Sequence, residues 1–154
     1  MKSKIAFSVL FFALWFSTKI SQAQTFLPND IDLTAAYCVG VLNAKIDDLK
    51  KLTHLREFPA IRDSQDELSQ GFRRDLRRLN LYLMPRLSRL ETQGLLAATV
   101  SGKEDMVAGL EDLTKCAGAK KNCAMEEGCM SACRASSPAI RRTDRCNDTS
   151  FLPQ

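Results

Sequence analysis

Six cysteines are the residues of this 154-residue chain best equipped for chemistry, and five of them, Cys116, Cys123, Cys129, Cys133 and Cys146, fall within the last 39 residues. Cys38 stands alone near the front. Thiols hold metal, exchange electrons or close into structural bridges, and spacing and compartment decide which. Four of these thiols lie within 18 residues and could enclose zinc, but structural zinc sites favour close pairs, and the intervals here hold six, five and three residues. Cys129 and Cys133 are separated by three residues rather than the two of a thiol oxidoreductase motif. The reading is therefore structural disulfides, with no metal and no cofactor. Six thiols allow fifteen pairings, and sequence alone does not choose among them. An even count does require Cys38 to take one of the five distal thiols. Cys129 and Cys133, one helical turn apart on one face, more naturally reach two partners on a neighbouring segment than each other.

Other chemical groups are sparse. His54 is the only histidine, placed where a first helix should end, a position that favours a cation or a capping side chain. No serine or cysteine nucleophile motif accompanies it. Glu126 and Glu127 are adjacent, so on a helix their carboxylates diverge by about 100° and do not converge on one substrate. Glycine-rich phosphate loops, calcium loops and haem-attachment motifs are absent from the sequence. No catalytic residue is assigned.

Disulfides need an oxidising compartment, and the N-terminus supplies the address. Lys2 and Lys4 precede an apolar run from Ile5 to Phe16, and Ser21-Gln22-Ala23 follows. That order of charged, apolar and small residues reads as a secretory signal over 1–23, cut after Ala23. The run is shorter than the roughly 20 residues a spanning helix needs. Secretion or periplasmic export of residues 24–154 as one disulfide-stabilised domain is expected. Removing the signal lowers the basic count from 22 to 19 against 18 acids. A basic balance then no longer argues for nucleic acid.

The elements that hold these groups read as all-α. Ala35, Cys38, Leu42, Ile46, Leu49 and Leu52 recur at steps of three and four, predicting a helix over about 31–56 with Cys38 on its buried face. Pro59 disfavours helical geometry at Phe58. Ser64-Gln65-Asp66-Glu67 matches a capping box and predicts a second helix over about 64–97. Its stripe is Leu68, Phe72, Leu76, Leu79, Leu83, Leu87 and Leu90, with a kink expected at Pro85. Ser101-Gly102-Lys103-Glu104, a second capping box, predicts a third helix over about 101–117. Asn122 is a candidate cap for a short fourth one. An up-down helical hairpin or small bundle follows, with the cysteine-rich segment 116–146 folded back on it. The stretches Gln24 to Asn29 and beyond Cys146 are expected to be disordered.

Two features of the second helix suggest binding. Arg73, Arg74, Arg77 and Arg78, with Arg86 and Arg89 beyond them, accompany a single acid, Asp75. In a nearly neutral mature chain, pairing of this solvated face with acids of neighbouring helices is expected ahead of binding an anionic surface. Leu81, Tyr82 and Met84 point away from the leucine stripe, and burial beneath the cysteine-rich segment is the expected reason. The expected function is a non-enzymatic exported binding or structural protein, whose partner is an anionic envelope component or an acidic protein. A small hydrolase or redox factor with an unrecognised site, and a carrier of apolar ligands, are the alternatives. Asn147-Asp148-Thr149 is a glycosylation sequon, meaningful only in a eukaryotic secretory pathway.

Overall fold

The computed structural model describes residues 27–52, 59–90, 92–120, 123 and 128–153. Five helices order these residues: α1 (Asp30–Lys51), α2 (Pro59–Leu87), α3 (Thr92–Ala119), α4 (Cys129–Ser136) and α5 (Pro138–Asp144), the last followed by a 3-10 turn at Arg145–Asn147. The signal segment, His54, Asn122, Glu126 and Glu127 lie outside the described residues. The chain is all-α, its helices pack on one another, and its C-terminal cysteines form disulfides.

α1 is the axis of the molecule. Asn29 caps it by accepting from the Asp32 amide at 2.8 Å, while the Asp32 carboxylate accepts from the Asn29 amide at 3.1 Å. This reciprocal arrangement satisfies two helix-start donors that water would otherwise have to serve. Asn29 is thus ordered by its own cap rather than loose. The predicted stripe Ala35, Cys38, Leu42 and Ile46 is buried, but so are Ala36, Tyr37, Val41 and Ala44. A helix buried on several sides must be flanked on several sides. α2 packs against one flank of α1 and α3 against another.

The α1–α3 contact depends on glycine. A methyl group built on Gly40 would lie 1.9 Å from the Thr99 carbonyl oxygen, and one on Gly102 would lie 2.1 Å from the Tyr37 carbonyl oxygen. The two backbones touch there, and only a hydrogen atom fits between them. Thr99 reinforces the crossing, its hydroxyl donating to the Ala36 carbonyl at 3.1 Å.

Both capping boxes after the first helix lie inside helices instead of starting them. Pro59 opens α2 from its first position, where a proline's missing N–H costs nothing, so Ser64 sits in the second turn. α3 begins at Thr92, nine residues ahead of Ser101. A cap contributes about 1 kcal/mol. Continuous helix through Ser101 instead aligns Leu95, Thr99, Gly102 and Met106 at steps of four, three and four, and tertiary contact outweighs the local signal. Pro85 stands inside α2, two residues before its end at Leu87. A turn accepting at the Arg86 carbonyl from the amides of Arg89 and Leu90 closes the helix. The break predicted near residue 98 instead follows Leu87, and α3 is already helical from Thr92.

The disulfides are Cys38–Cys146, Cys116–Cys133 and Cys123–Cys129, with Cα separations of 5.2, 5.7 and 5.3 Å. Cys38 takes a distal partner, and Cys129 and Cys133 each reach outside α4. The sulfurs of Cys123, Cys129 and Cys133 lie within 4.8 Å of one another, close enough for a metal, but all three are consumed by disulfides. Ser137 caps α5, accepting from the Ile140 amide at 3.3 Å and donating to Asp112 on α3 at 2.8 Å. α4 and α5 pack on α3, and the 3-10 turn brings Cys146 back to α1. The segment after Cys146 is not loose: Thr149 is buried, and Phe151 and Leu152 pack against the main core.

Candidate functional site

The outward face of α2 holds the sequence-predicted binding residues, and the stripe opposite explains why. Leu79 and Leu83 are buried against α1, with Phe72, Leu76 and Leu90 packed beside them. At about 100° per residue, Arg73, Arg74, Arg77, Arg78, Leu81 and Met84 fall within an arc of about 140° on the other side. All six are exposed. Leu81 and Met84 each expose 68% of their surface. They are not buried by the cysteine-rich segment, which packs on α3 and reaches α1 instead. α4 and α5 find their apolar support in Leu113, Ala117 and Gly109 of α3.

The electrostatics of this face are one-sided. None of Arg73, Arg74, Arg77 and Arg78 makes an ion pair among the described residues. Arg73 donates only to Ser69 one turn earlier, at 3.3 Å. Arg78 acts at longer range, its charge helping to keep Asp148 below the ordinary carboxylate range, chiefly an effect of hydrogen bonds from Ser150. The expectation that neighbouring acids would neutralise the face is not met among these residues.

Tyr82 departs from the predicted set. Its hydroxyl donates to the buried Asp32 carboxylate at 2.9 Å, and the Arg86 guanidinium lies 3.9 Å from its ring centroid. Arg86 also donates to the Tyr82 carbonyl at 2.8 Å and stands 3.8 Å from Asp32. Burial, then the bond to Asp32, raises the Tyr82 phenol above its ordinary range. Tyr82 and Arg86 therefore fasten α2 to the start of α1. The Tyr82 hydroxyl is thereby engaged within the chain, while Leu81 and Met84 are exposed.

A second polar cluster fastens α3 and α5 to α1. Tyr37 donates to Asp105 at 2.8 Å, and Arg142 grips the same carboxylate with two bonds of 2.9 and 2.6 Å. Arg145 covers the Tyr37 ring at 4.1 Å. Burial, with help from Asp105, pushes the Tyr37 phenol up to about 12. The bond from Arg142 holds Asp105 below the ordinary carboxylate range despite its partial burial. Each member is satisfied by another, and together they fasten the three helices.

A further feature is a groove of about 390 Å³, between α1, the first half of α2, α3 and α5. Its walls include Leu49, Leu68, Phe72, Met106, Leu110 and Ile140. Lys45 is the residue there that sequence reasoning passed over. It stands three residues after Leu42 and four before Leu49, in a slot on the core-facing stripe where an apolar side chain is expected, and that misfit was the available signal. Asn147 of the sequon also lines the groove, accepting from Lys45 at 2.7 Å and donating to Asp144 at 3.2 Å. Thr149, whose hydroxyl a glycosylating enzyme would need, is buried. Among the described residues no helix is long and apolar enough to cross a membrane, and three disulfides are compatible with an oxidising compartment. No family model matches the chain, and no curated protein or solved structure is significantly similar to it.

Proposed function

We propose that this is an exported, non-enzymatic binding protein that engages an acidic protein through the outer face of α2. One observation carries the reading: four arginines without ion pairs among the described residues share an exposed arc with Leu81 and Met84. Arginine and methionine are enriched at protein interfaces, and desolvated arginines next to apolar anchors are frequent energetic centres. Two apolar side chains offer little area for insertion into lipid, so a protein surface is favoured over a bilayer. Export is supported by the order of charged, apolar and small residues over 1–23 and by the three disulfides. A periplasmic or secreted location follows from that reading.

The test is a pull-down of envelope and secreted proteins with the wild type and with the double variant Arg77→Glu, Arg78→Glu. Wild type should retain a partner that elutes as salt is raised, since exposed charges lose their reach beyond a Debye length of about 8 Å at physiological ionic strength. The variant should lose it while keeping its three disulfides. An unchanged set of retained proteins refutes the arginine face. Pelleting with phosphatidylglycerol vesicles, but not phosphatidylcholine vesicles, in the absence of a protein partner would reassign the face to a membrane surface.

A further inference from the structure

Lys45 is a partly buried cation in a groove whose apolar walls are joined by Asp48, Arg134 and Asp144. Its ammonium lies 5.2 Å from the centroid of the Phe72 ring and donates to the neutral Asn147 amide oxygen. No carboxylate pairs with it among the described residues. The charges acting on it most strongly are Asp144 and Arg134, which are bonded to each other at 2.9 Å, and Asp75. Burial depresses its proton affinity below the ordinary lysine range. Charges drawn out of water are ordinarily paired, and a partly buried lysine without an ion pair among the described residues leaves donors for an anion.

We propose that the groove binds a medium-chain fatty acid, its carboxylate paired with Lys45 and its chain laid along Phe72, Leu110 and Ile140. The volume of about 390 Å³ falls in the range of small-molecule sites, which are typically apolar with a few placed polar groups. Lys45 has donors to spare beyond the one used on Asn147, so the ligand need not displace that bond. Asp48 and Asp144 also line the groove; Asp144 is paired with Arg134, which lines it as well, so Asp48 is the acid whose removal should favour binding. This site is on the opposite side of α2 from the arginine face and stands independently of it.

Decanoate and decanol, titrated into the disulfide-intact protein by calorimetry and amide NMR, separate head from chain. Decanoate should saturate one site and perturb the amides around Lys45, Phe72 and Ile140. Lys45→Met should weaken decanoate about tenfold, the usual scale for a lost charge-assisted bond, while leaving decanol within about twofold. Lys45→Arg, which keeps the charge, should retain binding and guards against a fold defect in the first variant. Absence of saturable decanoate binding, or equal weakening of both ligands by Lys45→Met, overturns the proposal. So does loss of binding in Asp48→Asn, or in the Arg77→Glu, Arg78→Glu variant, which would place the anion elsewhere.

Discussion

α2 and α3 flank the same central helix by opposite means. α3 touches α1 backbone to backbone at Gly40 and Gly102, and is tied to the stapled C-terminal segment by Cys116–Cys133 and by the Tyr37–Asp105–Arg142 cluster. α2 carries no cysteine and is docked by leucines, with one polar latch at Tyr82 and Asp32. The stapled side is specified by shape and covalent closure, the leucine side by burial of area. Burial of area is non-directional and leaves the far face of the helix free to vary. It is on this less constrained helix that the arginines without ion pairs among the described residues stand, which suits the proposed partner surface.

The contrast predicts a graded series of effects. Replacing both Cys38 and Cys146 with alanine opens a link spanning 108 residues; chain entropy sets the loss at about 4 to 5 kcal/mol, readable by urea denaturation. The Cys123–Cys129 pair spans only six residues, and its removal should cost about 2 kcal/mol. Equal losses would mean that closure entropy does not distinguish the two.

Next in size is Gly102→Ala, which forces a methyl group against the Tyr37 carbonyl. Backbone cannot yield as a flexible side chain does, so a loss of about 3 kcal/mol is expected. Leu79, fully buried, should cost about 3 kcal/mol as Leu79→Ala, whereas exposed Leu81→Ala should change stability by no more than about 0.5 kcal/mol. A large effect at Leu81 would show that the outer face of α2 is covered in solution by another surface. Tyr82→Phe removes the latch to Asp32 at about 1 kcal/mol, without altering retention of a partner by the arginine face.

The smallest effects are those of pH. Asp105 has a folded pKa below its ordinary value, so the unfolded chain takes up its proton first as pH falls. Its contribution is whole above the usual carboxylate pKa, about 4, and is lost below it. Tyr37 is raised from 10.0 to about 12. Its contribution is whole below pH 10.0 and declines as pH rises through the folded value, because the unfolded chain releases that proton first. Melting temperatures of wild type and Asp105→Asn should converge in acid, and the phenolate absorbance of Tyr37 should emerge late in an alkaline titration.

Sequence by itself determined the helical class, the buried face of α1, the middle of the α2 stripe though not its exposed members Leu68 and Leu87, the pairing of Cys38 with the distal cluster and the arginine arc. These are carried by periods of three and four residues and by counting, which need no knowledge of neighbours. Tertiary structure decided the rest. Which distal thiol Cys38 takes depends on where the 3-10 turn returns the chain. Ser64 and Ser101 lost their caps because a signal of about 1 kcal/mol yields to packing along a whole helix. Gly102 looked like part of a helix start and is instead the point where two backbones meet, since a missing side chain has no hydrophobic pattern to read. Lys45 gave a lysine in an apolar slot, but only the approach of Phe72 and Asn147 made that slot a groove. Local energies are written in sequence; the approach of distant surfaces is not, because it depends on the shape of every element at once.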